Sequence, residues 1–180
     1  QKDCMAIDDD VRWLVALISD TGMRLSEAAG LHINDIMLDN DIPYIDLKPH
    51  PWRGLKTRGS QRQIPLVGAS LWAAKRIKET NSDAVYAFPR YNNTSTTNGN
   101  SASAAINKWL KTRVPEGCVI HSFRHSVRDR LREVQCPADM IDQIGGWSTA
   151  GVGQAYGDGY NLNTLFHNMK DIQCHVSFKE

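Results

Sequence analysis

The sequence has no apolar run near the length of a membrane span; the longest lies around Trp13 to Ile18, and the N-terminal residues carry no signal-peptide pattern. These absences argue for a soluble chain without a membrane partner. Cysteine is sparse: Cys4, Cys118, Cys136 and Cys174 lie far apart with no CxxC pair. That excludes a disulfide-stapled secreted module and fits a reduced, intracellular setting. There is no internal repeat and no sustained heptad. Gly151, Gly153 and Gly157 do not form GxGxxG and follow no strand-like run, so a dinucleotide fold is disfavoured. His121 and His125 stand at i and i+4, as in a metal hydrolase, but the HExxH glutamate is missing and no carboxylate or cysteine ligands cluster nearby. No metal and no cofactor is expected.

Acidic residues are absent between Asp46 and Glu79, a stretch that holds Lys48, Arg53, Lys56, Arg58, Arg62, Lys75, Arg76 and Lys78. The net charge of +1 conceals this asymmetry. Residues 1–46 carry ten acids against Lys2, Arg12 and Arg24, whereas the remainder carries eighteen bases against ten acids, giving −7 and +8. A solvated charged face is the plain explanation, and a polyanion-binding surface is the alternative. With 180 residues, 41% of them hydrophobic, and five Trp, the chain can form one domain with a substantial core.

The periodicity predicts a mainly α-helical α+β fold with a small antiparallel β-sheet. Asp8, Asp9 and Asp10 precede apolar Val11, Leu14, Val15 and Ile18, a helix stopped at Thr21-Gly22. A short helix follows at Ser26 to Ala29. Two β runs, Ile42 to Leu47 and Gln63 to Val67, flank a link punctuated by Pro49, Pro51, Gly54 and Gly59, giving a hairpin with a basic tip. Leu71 to Lys78 is again helical, and residues 80–103 read as a long polar loop inserted in one domain. Further helices are expected at 102–112, at 122–134 with Ser122 as N-cap, and at 138–144 after Pro137. Ser148 is expected to cap a helical turn through Tyr156, and Asn163 a final amphipathic helix.

Three segments carry chemistry. Metal-free strand transfer on DNA needs guanidinium groups for the extra negative charge of a five-coordinate phosphorane, a nucleophile, and an acid for the departing 5′-oxygen. In "TGMRLSEAAGL" (21–31), Arg24 enters a helix with Glu27 three residues on. In "HSFRH" (121–125), His121 and Arg124 stand at i and i+3. In "GGWSTAGVGQAYG" (145–157), Tyr156 follows Trp147 by nine residues. Taken singly, the first reads as a surface ion pair and the second as an exposed helix face.

Taken together and in this order, with Lys56 of "LKTRGSQRQIPL" in the hairpin between them, the segments resemble the tyrosine recombinases, the phage integrase family, over residues of about 8 to 160. The resemblance implies a tyrosine recombinase catalytic-domain fold and cleavage and rejoining of double-stranded DNA at specific sites through a 3′-phosphotyrosine. It implies that Arg24 and Arg124 clamp the scissile phosphate, that Lys56 protonates the leaving 5′-oxygen, and that His121 hydrogen-bonds the phosphate and assists proton transfer. Trp147 stands where many members have His and others Trp; its indole N–H can only donate. Tyr156 matches the nucleophile, with Tyr160 as the competing candidate; Glu27 and His125 support the site; Arg53, Arg58 and Arg62 are expected to contact the DNA backbone. The family plan further implies a tetramer on DNA in a prokaryotic or phage-infected cytoplasm. It also includes an N-terminal domain preceding the part represented here, so the chain is read as a piece of a longer protein. A DNA-binding architectural protein on the same scaffold, a type IB topoisomerase and a telomere resolvase are the alternatives.

Overall fold

A computed structural model describes residues 1–147 and 159–173, apart from the side chain of Arg58. Its elements are α1 (Lys2–Ile7), α2 (Asp10–Thr21), α3 (Leu25–Ala29), β1 (Ile36–Met37), β2 (Tyr44–Leu47), β3 (Arg62–Pro65), α4 (Gly68–Thr80), α5 (Gly99–Leu110), α6 (Ile120–Glu133), α7 (Ala138–Gly145) and α8 (Leu162–Asp171). Short 3-10 turns lie at Ile33–Asp35, Arg58–Ser60 and Pro89–Tyr91. The result is a mainly helical α+β fold with one three-stranded antiparallel sheet in the order β1-β2-β3 among the described residues.

Helix α2 is the axis of the core. Asp9 caps it, its carboxylate accepting from the Arg12 N–H at 3.1 Å, and Gly22 ends it in a left-handed conformation. Nearly every residue between the caps is buried, including Leu14, Leu17 and Ile18, because α4, α6, α1, α3 and α5 all pack on it. Each such aliphatic side chain contributes roughly 1.5–3 kcal/mol when fully buried. No helix among the described residues is long and apolar enough to cross a membrane.

Several helix ends differ from the sequence expectation, each for a tertiary or local capping reason. Helix α4 begins at Gly68, before Leu71, because the buried carboxylate of Asp20 accepts from the N–H groups of Ala69 (2.8 Å) and Ser70 (3.4 Å). Helix α6 begins at Ile120 with Val119 as N-cap; Ser122 is the third helical residue, and its hydroxyl accepts from the Val119 N–H at 3.1 Å. Asn161, not Asn163, caps α8, accepting from the Thr164 N–H at 2.9 Å. The polar stretch 80–103 is not one loop: Phe88 and Tyr91 are buried at the two ends of a capped 3-10 turn, and Asn98 caps α5. The expected helical turn from Ser148 through Tyr156 lies outside the described residues.

The sheet positions the site. Strand β2 pairs with β1 (Ile36 opposite Ile45) and with β3 (Ile45 opposite Ile64, Leu47 opposite Arg62). Alternation then puts Arg62 and Ile64 on the same buried face of β3. Helices α7 and α8 cover β3, with Leu165, Met169 and Ile172 buried beneath α8.

Candidate active site

Arg24 stands at the start of α3, where Glu27 folds back on it. One Glu27 carboxylate oxygen accepts from the Arg24 backbone N–H at 3.0 Å and the other from Arg24 Nη1 at 2.5 Å. Arg24 Nη1 also donates to the Ser60 hydroxyl (3.3 Å), and Nη2 to the Gly146 carbonyl (2.9 Å). Among the described residues this leaves its Nε–H and one Nη2–H without a partner, on a side chain that is 23% exposed. A partly open guanidinium of this kind can take an oxyanion. Glu27 itself is buried; burial alone pushes its carboxyl up, but the Arg62 charge and the hydrogen bonds from Arg24 and Arg62 outweigh it, and the net shift is downward.

Arg124 occupies the buried stripe of α6 together with Ile120, Val127 and Leu131, whereas His121 and His125 stand exposed beside it. Among the described residues its one hydrogen bond goes to the Gly22 carbonyl, and its guanidinium lies over the Trp147 ring at 4.4 Å from the centroid. Burial, followed by repulsion from Arg24 and Arg62, brings its pKa down to about 10, so it stays charged at neutral pH. The His121 and His125 rings meet edge to face at 5.0 Å. Partial desolvation, then the charges of His125, Arg124 and Arg24, hold the His121 imidazole below its ordinary range.

Two turns tie the arginines together. Gly22 precedes Arg24 by two residues and holds Arg124; Gly146 precedes Trp147 and holds Arg24. Both glycines have positive φ, +63° and +61°, and an ideal Cβ on Gly146 would meet Arg62 Nη1 at 2.7 Å. Arg24, Arg124, Glu27 and Trp147, assigned from sequence, therefore come together with His121 beside them.

Lys56 is exposed in the connection between β2 and β3, next to a turn in which Thr57 and Ser60 share a 3.0 Å hydroxyl bond. Its neighbours depart from expectation. Arg53 and Arg62, expected to contact DNA, are only 3% and 7% exposed and are spent on interior partners. Arg53 donates to the Glu27 carbonyl at 3.0 Å and to the Lys48 carbonyl, and lies 3.5 Å from the Asp35 carboxylate. Arg62 donates to Glu27 Oε2 (3.1 Å), the Ile144 carbonyl (2.8 Å) and the Ser60 carbonyl (2.6 Å). Buried cations so paired are unavailable to an incoming phosphate. The Arg58 side chain lies outside the described part. Ser60, Gly22 and Gly146 were not singled out from sequence; glycine after a helix was read only as a stop.

Tyr156 lies outside the described residues. Tyr160 is described: its hydroxyl donates to the Asp139 carboxylate at 3.0 Å, while its N–H and C=O both bond the Gln143 amide at 2.8 Å. The Asp139 bond raises its pKa, which makes its phenolate harder to form. Among the described residues no three His, Cys, Asp or Glu side chains group closely enough to bind a metal ion.

No curated protein matches the chain. Among solved structures, the XerH site-specific recombinase bound to palindromic difH substrate is 21% identical with a TM-score of 0.55, covering 78% of this chain and 39% of the other. The Tn1549 transposon integrase in complex with circular intermediate DNA is 18% identical with a TM-score of 0.57, covering 98% and 59%. The chain thus spans about two fifths to three fifths of the length of these proteins, and the likeness is one of fold. The model of the phage integrase family matches residues 3–161. A match over most of the length, on a fold shared with recombinase catalytic domains, establishes that the chain belongs to the phage integrase family.

Proposed function

We propose that the chain is the catalytic domain of a tyrosine site-specific recombinase acting on double-stranded DNA as a tetramer. In this reading Arg24 and Arg124 clamp the scissile phosphate and stabilise the phosphorane. The Tyr156 hydroxyl attacks phosphorus, Lys56 gives a proton to the departing 5′-oxygen, and a 3′-phosphotyrosine remains until a free 5′-hydroxyl reverses the step. His121 and the Trp147 N–H bind phosphate oxygens, His121 also handling a proton, while Glu27 and His125 support the cations. The Tn1549 integrase is described in complex with DNA and XerH with its difH substrate, and DNA is the partner proposed here.

The observation that carries the reading is the meeting of Arg24 and Arg124 at the Gly146–Trp147 turn, with guanidinium N–H groups on both that have no partner among the described residues. Arg124 is repelled by Arg24 and Arg62, so the added negative charge of a phosphorane stabilises the cluster. The engagement of Tyr160 with Asp139 favours Tyr156 as nucleophile.

The test uses a pool of nicked suicide duplexes with randomised sequence around the nick. Adducts that survive denaturant are recovered and sequenced, which also yields the target site. The wild-type chain and Tyr160→Phe are expected to form the adduct and Tyr156→Phe to form none. No adduct with any of the three, or loss through Tyr160→Phe alone, contradicts the proposal.

A further inference from the structure

Lys56 sits near the middle of a long connection, 48–61, between β2 and β3, exposed and with no strand pairing of its own. A proton donor must be held within hydrogen-bond reach of the leaving oxygen, so something must fix this segment. Its two shoulders are fixed in the same way. On one side Arg53 donates to the backbone carbonyl of Glu27; on the other Arg62 donates to the Glu27 carboxylate. Both guanidinium groups also grip the connection itself, Arg53 at the Lys48 carbonyl and Arg62 at the Ser60 carbonyl. The shared anchor, Glu27, pairs in turn with Arg24. Burial lowers the pKa of both arginines, opposed at Arg53 by the charges of Asp35 and Glu27 and at Arg62 by that of Glu27.

We propose that Arg53 and Arg62 are positioning residues that suspend the Lys56 segment from Glu27 and so set the proton donor against the phosphate clamped by Arg24. This rests on the recombinase reading and on Lys56 as its acid. Planar guanidinium is the group suited to the task, since each side chain must reach two or more acceptors on different elements at once; a lysine ammonium in the same place keeps the charge but not the span. In the step concerned, the Tyr156 hydroxyl gives its proton to the neutral His121 imidazole as the bond from its oxygen to phosphorus forms, the bond from phosphorus to O5′ breaks, and the Lys56 proton passes to O5′.

A duplex whose bridging 5′-oxygen is replaced by sulfur provides the test, because a thiol with a pKa near 8.5 leaves as a thiolate without that proton. Arg53→Lys and Arg62→Lys, which keep the buried charge, are compared with the wild type on the oxygen and sulfur versions of the duplex recovered above. Thr57→Val serves as a third variant that leaves every buried charge and the Ser60–Arg24 bond in place while removing the hydroxyl that ties the segment to Ser60. Adduct formation on the oxygen duplex is expected to fall about 100-fold for the arginine variants and less for Thr57→Val, with cleavage of the sulfur duplex within a few-fold of wild type. In a Lys56→Ala background the same substitutions are expected to add nothing further. Equal losses on both duplexes, unchanged cleavage of the oxygen duplex, or additive losses in the Lys56→Ala background would overturn the inference. A wild-type chain that cleaves neither duplex would overturn the recombinase reading beneath it.

Discussion

The guanidinium of Arg124 lies 4.4 Å from the centroid of the Trp147 ring, and the same ring has Arg128 at 5.4 Å. The indole is folded so tightly against the preceding turn that an ideal Cβ on Gly145 would meet Trp147 Cζ3 at 1.8 Å. The Trp147 ring is thus a plate against which the Arg124 guanidinium rests, and glycine at 145 is what allows the plate to lie there.

Removing the plate should loosen the clamp. Trp147→Ala forfeits a partly desolvated cation–π contact of about 1–2 kcal/mol. If that energy holds Arg124 in its phosphate-binding pose, adduct formation falls about tenfold or more. Trp147→Phe retains a ring and is expected to lose much less. Single-turnover adduct formation compares the two, and equal rates for Ala and Phe would show that the ring has no part in setting Arg124.

Gly22 offers a second test from the other side of Arg124. Its φ is +63°, and an ideal Cβ there would stand 3.2 Å from Val127 Cγ1. Gly22→Ala therefore adds left-handed strain of about 1 kcal/mol to a tight contact with the α2–α6 interface. The melting temperature should drop by about 2–4 °C or more for a domain of this size. Adduct formation at a temperature where both proteins are folded should drop as well, because the displaced carbonyl is the acceptor of Arg124. A variant that melts lower yet cleaves at the wild-type rate would separate the turn from the clamp.

The pH dependence follows from His121. Partial desolvation, then the positive charges of His125, Arg124 and Arg24, place its folded-state pKa below the 6.5 of an ordinary imidazole. As pH falls below 6.5 the unfolded chain takes up the proton first, so the contribution of His121 to stability is complete above 6.5 and is lost as pH descends toward the folded value. The melting temperature of the wild type is expected to decline over that window more steeply than that of His121→Gln. Parallel curves would mean that the histidine does not feel the cationic cluster.

How much of this was legible in the sequence depends on the range of the forces involved. Helix α2 was plain because its caps, Asp9 and Gly22, and its apolar residues are all local. The start of α4 was not, since its cap is Asp20, roughly fifty residues away in sequence. Arg24, Arg124 and Glu27 were identified by residue type and order, and the fold brings them together. Arg53 and Arg62 were misassigned because a run of bases without acids suggests a surface. Yet Arg62 stands two residues before Ile64, so the alternation of β3 already placed it on the inward face. On α6, Arg124 likewise falls in register with Ile120, Val127 and Leu131, a stripe that marks a buried arginine and sets it apart from exposed His121. The strand Ile36–Met37, two residues long, left no periodicity to read.

A final prediction concerns how the last helix is fastened. Asp20 is fully buried on α2, where its carboxylate accepts from Ala69 and Ser70 and pairs with Arg130 at 3.3 Å. Arg130 also donates to the Ile172 carbonyl at 2.7 Å, just beyond α8, and to the Ser19 carbonyl. Burial raises the pKa of Asp20 more than Arg130, Gln1 and the Ala69 N–H together lower it, so loss of the Arg130 cation raises it further and costs the ionised carboxylate its main counter-charge. Arg130→Met strands that charge and releases the end of α8 together, and is expected to cost about 3 kcal/mol, or about 10 °C in melting temperature. Asp20→Asn keeps an acceptor for the α4 N–H groups and removes the charge, so the double variant Asp20→Asn/Arg130→Met should regain most of that loss. Limited proteolysis distinguishes the two parts: if α8 is held by Arg130 and not only by Leu165 and Met169, cleavage near Ile172 stays faster than wild type in the double variant even after the melting temperature has recovered. A single Arg130→Met variant as stable as wild type, or a double variant no better than the single, would refute the role assigned to this pair.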